Sequence, residues 1–225
     1  MTQSKLIYLV WGDDLAATLH EESLRSHLAQ AGATRLQLNI DDEHVAAAMR
    51  IPTFERPVGA VVSVWTDGRA GDITAALQKA ADRVHGWRVE ERRRLDPPEV
   101  YDGSRADALA NVAVLRRPAE LSRQEWLRRW MVEHTPIAIR TQATFGYVQN
   151  IVEDPVTPDA PEVSAFVEEL FPSAALTDMH AFYGSGGDDA ELSRRLTELM
   201  ASVARIGADR DLDLVPTSRY LYDLG

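Results

Sequence analysis

The sequence predicts an α+β protein built from two ferredoxin-like βαββαβ repeats. Two observations support this prediction. The order of apolar and amphipathic segments occurs twice along the 225 residues, and a stretch with proline and glycine separates the two occurrences. Such a unit folds into a four-stranded antiparallel sheet with both helices on one face, which leaves the other face uncovered. We therefore expect the two sheets to cover each other as an intramolecular α+β barrel, with homodimerisation through the same faces as the alternative.

The first repeat is predicted to span residues 1–96. It opens with an apolar strand over Lys5–Trp11. A helix follows from Asp13 or Asp14 to about residue 31, because leucines recur there at roughly helical spacing and Gly32 is placed to end it. The remaining elements are the strands Leu36–Ile40 and Val58–Trp65, a helix from Asp72 to about Val84, and the strand Trp87–Arg93.

Residues 97–107 are predicted to link the repeats, because Pro97, Pro98 and Gly103 interrupt regular structure there. The second repeat is predicted over residues 108–225. Its elements are the strand Leu109–Arg116, a helix from Ser122, the strands Phe145–Val152 and Leu176–Tyr183, the helix Asp189–Ala208 and the strand Thr217–Tyr222.

An insertion distinguishes the second repeat from the first. Residues 153–175 contain four prolines around a short amphipathic stretch, Glu162–Phe171. We interpret this insertion as a loop with a short helix packed on the surface. A lid over a pocket is the alternative, since long irregular connections are often functional.

Composition and charge exclude several classes of function. The net charge of −11 disfavours a nucleic-acid partner, and the absence of cysteine excludes disulfides, thiolate metal sites and thiol catalysis. No stretch approaches the roughly 20 apolar residues of a membrane helix, and we expect a cytoplasmic protein. The acidic cluster Asp41–His44 is interpreted as a solvated turn, so no metal site is predicted.

The helix that begins at Ser122 carries the most informative pattern. Ser122 and Glu125 form a capping box that fixes its start. Every fourth position beyond it places an aromatic ring on one face, namely Trp126, Trp130 and His134. Pro136 cannot donate a backbone hydrogen bond, so the helix should kink or end near His134. The stripe is either core packing or the wall of a ligand pocket.

The segment Leu121–Val152, LSRQEWLRRWMVEHTPIAIRTQATFGYVQNIV, resembles the EthD family. The resemblance rests on a tryptophan four residues before His-x-Pro and on a following strand of Gly-Tyr-x-Gln-Asn type. It implies membership of the dimeric α+β barrel group, which includes polyketide cyclases, muconolactone isomerases, cofactor-free monooxygenases and haem-binding proteins. Many EthD-like proteins have a glutamate in the third strand of the repeat, and the predicted strand Leu176–Tyr183 has none.

The resemblance implies a ligand site between helices and sheet, lined by His134. We predict His134 and Tyr147 as catalytic residues, with histidine moving a proton and tyrosine donating to a developing enolate oxygen. Ligand-binding roles are predicted for Trp126, Trp130, Asn150 and His180. Asn150 and His180 have structural alternatives, since each can bond to a neighbouring strand or turn.

These predictions combine into one leading function. We expect a cofactor-independent isomerase, cyclase or dehydratase that acts on a small aromatic or polyketide-like molecule by histidine acid–base catalysis. The alternative is a non-catalytic carrier for a small hydrophobic ligand. The first repeat lacks the Trp/His pair, so we predict that it serves as a scaffold and that each chain has one competent pocket.

Overall fold

A closed antiparallel β-barrel forms the centre of the protein. The computed structural model describes residues 3–225. The first half contributes β1 (Ser4–Trp11), β2 (Ala33–Ile40), β3 (Ala60–Thr66) and β4 (Arg83–Leu95). A short strand, β5 (Asp102–Arg105), pairs beside the barrel with the last strand. The second half contributes β6 (Leu109–Leu115), β7 (Gly146–Pro155), β8 (Ala165–Phe171) and β9 (Leu212–Asp223).

The two halves have the same strand order, β2-β3-β1-β4 and β7-β8-β6-β9, in which all neighbours are antiparallel. This is the order of the ferredoxin-like unit. The halves join edge to edge, through β4–β7 on one side and β2–β9 on the other. Eight strands therefore form a ring without free edges. The predicted fold class is confirmed, and the two sheets are joined by hydrogen-bonded seams.

The helices lie on the outer faces of the sheets. The first half carries α1 (Leu15–Leu19), α2 (Glu22–Gln30) and α3 (Ala70–Gln78). The second half carries α4 (Arg123–Arg128), α5 (Thr135–Thr141), α6 (Met179–Tyr183) and α7 (Asp189–Arg205), with a π-helical turn, Arg129–His134, between α4 and α5. Within residues 3–225, no helix has the length and apolar character needed to cross a membrane.

The first predicted helix is divided in two, and the predicted linker is partly a strand. Glu21 has an extended backbone and separates α1 from α2, so the leucines that suggested one helix belong to two short ones. Residues 97–107 contain β5, which pairs with β9.

The third strand of the second half lies earlier in the chain than predicted. The segment Leu176–Tyr183 was predicted as a strand but forms the end of a 3₁₀ turn followed by α6. The strand is β8, inside the predicted insertion 153–175. Residues 153–175 therefore contain the end of β7, a connecting loop and β8, so the predicted short surface helix over Glu162–Phe171 is wrong and the segment is not a lid. The strand was missed because both its faces are covered, so its sequence does not alternate between apolar and polar residues.

The barrel interior is the central core. One part is apolar and includes Ile7, Leu9, Trp87, Val112, Phe166 and Val215. Another part is polar. Glu168 accepts hydrogen bonds from Gln37 and Asn39 and pairs with the guanidinium group of Arg219 at 3.0 Å. Side chains from both halves therefore pack this interior.

Candidate functional site

A cavity of about 290 Å³ lies between the outer face of the second half's sheet and the helices that cover it. Its floor is formed by β6, β7, β8 and β9, and its roof by the π-helical turn, α6 and α7. Most of the wall is apolar, including Ala113, Leu115, Val167, Leu199, Val203 and Ile206. Small-molecule sites typically measure roughly 300–1,000 Å³, so this cavity suits a small ligand.

The π-helical turn places His134 at this cavity. The helix was predicted to kink or end near His134. It does not end there but changes to a π turn and continues to Thr141, and the backbone amide of Thr135 bonds to the carbonyl of Trp130, five residues back. In this pattern the carbonyl of Met131 would accept a hydrogen bond from the backbone amide of residue 136, but Pro136 has no amide hydrogen. The Arg94 guanidinium donates to that carbonyl at 3.1 Å instead. Single π turns of this kind are frequent at functional sites.

His134 is a neutral imidazole at neutral pH. Its side chain is buried, and its Nδ1 lies 2.9 Å from the hydroxyl oxygen of Ser202 on α7. Burial, and secondly the positive charge of Arg205, lower the pKa of His134 to about 4. Ser202 occupies Nδ1 and fixes the ring, so Nε2 is the nitrogen available to a ligand.

Three polar residues form a row across the cavity floor. Tyr147 on β7 is in register with Glu169 on β8, and Glu169 is in register with Asn111 on β6. All three border the cavity, so their side chains share the outer face of the sheet. Directly opposed residues of antiparallel strands have Cβ atoms roughly 4.5–5.5 Å apart. The row therefore places a phenol, a carboxyl group and an amide side by side.

Glu169 is the most unusual group of this row. It is half-buried, it borders the cavity, and it forms no ion pair with an arginine, lysine or histidine among residues 3–225. Burial raises the pKa of Glu169 to about 7. Burial, and secondly the charge of Glu169, raise the pKa of Tyr147 well above its ordinary value. The site thus combines a carboxyl group that titrates near neutrality with a phenol that stays protonated.

Two buried polar atoms at the cavity have no hydrogen-bond partner in the described part of the chain. They are Oδ1 of Asn111 and Nε1 of Trp130. Both atoms are covered by neighbouring protein atoms, so they are unpaired groups of the cavity wall and do not face its interior.

Three of the predicted site residues border the cavity and three do not. His134, Tyr147 and Trp130 line it. Trp126 stacks on Trp130 with ring centroids 5.0 Å apart, and its indole donates to the carbonyl of Ile206. It lies behind the wall and supports it.

Asn150 and His180 lie away from the cavity wall. Asn150 is on the opposite face of β7 from Tyr147, in register with Phe166, and so faces the barrel interior. His180 is on α6 and not in a strand, with its Nδ1 2.7 Å from the hydroxyl of Ser185. The side chain of His180 thus has a local structural contact, whereas the buried Oδ1 of Asn150 has no partner in the described part of the chain. Ligand-binding roles for these two residues stay predictions.

Glu169 and Asn111 were missed by sequence reasoning. Glu169 lies in Ala165–Phe171, which reads as an amphipathic helix, so the strand that carries it was sought further along the chain. A signal was present, because a glutamate between apolar residues of a short segment is rarely buried without a reason. The third strand of the second half, β8, therefore contains glutamates, whereas the segment predicted to be that strand, Leu176–Tyr183, has none.

The first half of the chain closes one side of the cavity. Met49, Ile51 and Thr53, from the connection between β2 and β3, border it. Ile51 forms a two-hydrogen-bond bridge with Leu214 of β9. The backbone amide and hydroxyl of Thr53 both donate to the carboxylate of Asp213 at 2.6 Å. The second half's cavity is therefore covered by residues of the first half.

Among residues 3–225, no group of three or more histidine or acidic side chains is arranged to hold a metal ion. The Asp41–His44 cluster is engaged locally. Asp41 pairs with Arg50, and Asp42 accepts hydrogen bonds from Ser218 and Tyr220.

Comparison with known proteins supports the fold. No family model matches the chain, and no curated protein matches it. An "anthrone oxidase-like protein" of known structure superposes with a TM-score of 0.60 at 8% identity, covering 100% of this chain and 94% of that one. A "putative monooxygenase" from Lactobacillus acidophilus NCFM superposes with a TM-score of 0.50 at 11% identity, covering 100% and 98%. The fold is of the dimeric α+β barrel type, whereas membership of the EthD family stays a prediction.

Proposed function

We propose that this chain is a cofactor-independent enzyme that binds a small aromatic or polyketide-like molecule and moves a proton at a carbon next to a carbonyl group. The observation that carries this proposal is Glu169. It is a carboxyl group with a pKa of about 7, it has no ionic partner, and it lies directly across the strands from Tyr147. A base is most effective when its pKa lies near the working pH.

The geometry supports a division of roles between Glu169 and Tyr147. The carboxylate of Glu169 would take the proton as the carbon–hydrogen bond breaks, and the electron pair would move onto the carbonyl oxygen. Tyr147 keeps its proton because its pKa is raised, so it can donate a hydrogen bond to the developing enolate oxygen. Return of the proton from Glu169 to another atom would complete an isomerisation. Alternatively, cleavage of a carbon–oxygen bond at the β-carbon, with the Glu169 proton passing to the departing hydroxyl group, would release water and complete a dehydration.

The lowered pKa of His134 changes the role that we propose for it. With a pKa of about 4, roughly one ring in a thousand is protonated at pH 7, so His134 is a poor general acid. We propose instead that the neutral ring orients the substrate through Nε2 while Ser202 holds Nδ1. Trp130 would provide the flat apolar wall for an aromatic ring, with Trp126 stacked behind it.

The alternative function is a carrier for the same class of ligand. It is favoured by the mostly apolar wall of the cavity, since such a pocket can hold a ligand without transforming it. The two functions differ in the need for the carboxyl group of Glu169.

Anthrone, an aromatic ketone with an acidic methylene group, is a suitable probe, because one structural neighbour is named anthrone oxidase-like. We expect the protein to accelerate exchange of the methylene hydrogens for deuterium in anoxic D₂O, measured by NMR. Glu169→Gln should reduce the acceleration by about 10²–10⁴-fold, the usual contribution of a general base. Glu153→Gln, at the exposed end of β7, is the control and should keep the wild-type rate.

Equal exchange rates for the wild type and Glu169→Gln would contradict the proposed mechanism. Quenching of tryptophan fluorescence by anthrone without accelerated exchange would favour the carrier.

A further inference from the structure

A second chamber of about 360 Å³ adjoins the cavity. The two share four lining residues, Met49, Asn111, Phe182 and Tyr183. One of these residues comes from the covering connection, one from β6 and two from α6. The two chambers are therefore adjacent, with these four residues at their boundary.

The outer face of β6 runs along both chambers. Leu115 and Ala113 line the first chamber, Asn111 lines both, and Leu109 lines the second. These residues alternate along one strand, so they point to the same face. At roughly 3.3 Å per residue, the six steps from Leu115 to Leu109 span about 20 Å. A ligand that occupies both chambers would be long, with its middle at Asn111.

The chemistry of the second chamber differs from that of the first. None of its lining residues is charged, and most are aliphatic or methionine, including Leu109, Ala175, Leu176 and Met179. The first chamber, by contrast, has the titratable groups of His134, Tyr147 and Glu169. Met49 and Met179 are 60% and 47% exposed at the rim, and methionine side chains adapt readily to flexible apolar ligands.

We infer that the second chamber binds an alkyl chain of the ligand, whose hydroxyl-bearing aromatic head lies in the first chamber. This inference rests on the proposed function, because it assumes that the head binds at the row of Tyr147, Glu169 and Asn111. The phenol of Tyr147 and the carboxyl group of Glu169 in the first chamber suit a hydroxyl group on the head. The uncharged second chamber, on the far side of Asn111, suits hydrocarbon attached to the head at the ring position opposite that hydroxyl.

A series of 4-alkylphenols from methyl to hexyl tests this inference by isothermal titration calorimetry. Each buried methylene contributes roughly 0.8 kcal/mol, so affinity should rise about fourfold per added carbon in the wild type. Ala47→Trp and Thr177→Trp each place an indole in the second chamber at an exposed position, which the fold should tolerate. They should abolish the rise while leaving the affinity for 4-methylphenol within about twofold. Ser193→Trp, exposed on α7 and away from both chambers, is the matched control and should keep the rise.

Two results would overturn the inference while leaving the proposed function intact. One is an affinity for the wild type that does not depend on chain length. The other is an equal rise in the wild type and in both chamber variants, which would indicate nonspecific apolar binding. Failure of every phenol to bind would instead contradict the proposed function and this inference together.

Discussion

The two halves of the barrel share a strand order but differ in how the outer faces of their sheets are covered. In the first half, a cross-strand row of Leu38, Val62 and Tyr8 lies under leucines of α1 and α2, and the Tyr8 hydroxyl is paired with Thr74 at 3.0 Å. In the second half, the row Tyr147, Glu169 and Asn111 borders a cavity. In the same fold, the space between sheet and helices can thus be packed with side chains or can contain a cavity. An unfilled cavity destabilises a protein, so the open half is the one that calls for a functional explanation.

Removal of one tyrosine hydroxyl group from each half gives the largest expected difference between the halves, measured as the rate of hydrogen exchange. Tyr147→Phe should slow anthrone hydrogen exchange by about 10²–10³-fold, because a donor to the developing enolate is lost. Tyr8→Phe should leave the rate unchanged and lower the free energy of unfolding by about 1 kcal/mol, since it removes the bond to Thr74. Exchange rates and urea unfolding of both variants check this prediction. Similar rates for the two variants would show that the halves do not differ in chemistry.

The pH dependence of stability tests the titration of Glu169. Its folded pKa of about 7 exceeds the ordinary value of 4.5, so between these values the folded protein holds a proton that the unfolded chain has lost. This group's contribution to stability therefore falls as pH rises from about 4.5 to 7. Relative to Glu169→Gln, the wild type should lose about 3 kcal/mol between pH 4.5 and 8.

Because the pKa of His134 is lowered, its contribution to stability rises with pH between about pH 4 and 6.5. His134 is present in both proteins, so this contribution cancels in the difference between their free energies of unfolding. Urea unfolding at a series of pH values gives the measurement, and Glu153→Gln is again the exposed control. A difference between wild type and Glu169→Gln that stays constant with pH would mean that the carboxyl group titrates at its ordinary value.

Enlarging one side chain on the outer face of each sheet gives the smallest expected difference between the halves, measured as the free energy of unfolding. Ala113→Leu should leave the free energy of unfolding within about 1 kcal/mol of the wild type, because the added carbons enter the cavity, and it should weaken anthrone binding. Ala60→Leu, in the packed core of the first half, should lower the free energy of unfolding by about 1–3 kcal/mol through overpacking. Equal destabilisation by both substitutions would indicate that the second half has no more free space than the first.

The sequence predicted the fold because most strands show their periodicity locally. The segments at β1, β3, β6 and β9 are apolar or alternate between apolar and polar residues. Because the same order of elements occurs in both halves, these segments were enough to predict the architecture. It failed at β8, where Phe166, Glu168 and Leu170 face the barrel and Ala165, Val167 and Glu169 face the helices. With both faces buried, the local pattern is ambiguous between strand and helix.

The candidate site was only partly predictable for the same reason. His134, Trp130 and Tyr147 were found because they lie near one another in sequence around one helix and strand. Asn111 and Glu169 join them only through strand pairing, which depends on the correct assignment of β8. Similarly, the cover formed by Met49, Ile51 and Thr53 depends on a contact between the two halves that no local pattern reveals.

The seam between β2 and β9 has a consequence for how the chain folds. It joins residues 35–40 to residues 218–223, so the ring closes only when segments from nearly opposite ends of the chain meet. Contacts of such long range slow folding, and an open strand edge can pair with another chain. During synthesis the edge of β2 therefore stays unpaired with β9 until residues 218–223 have left the ribosome.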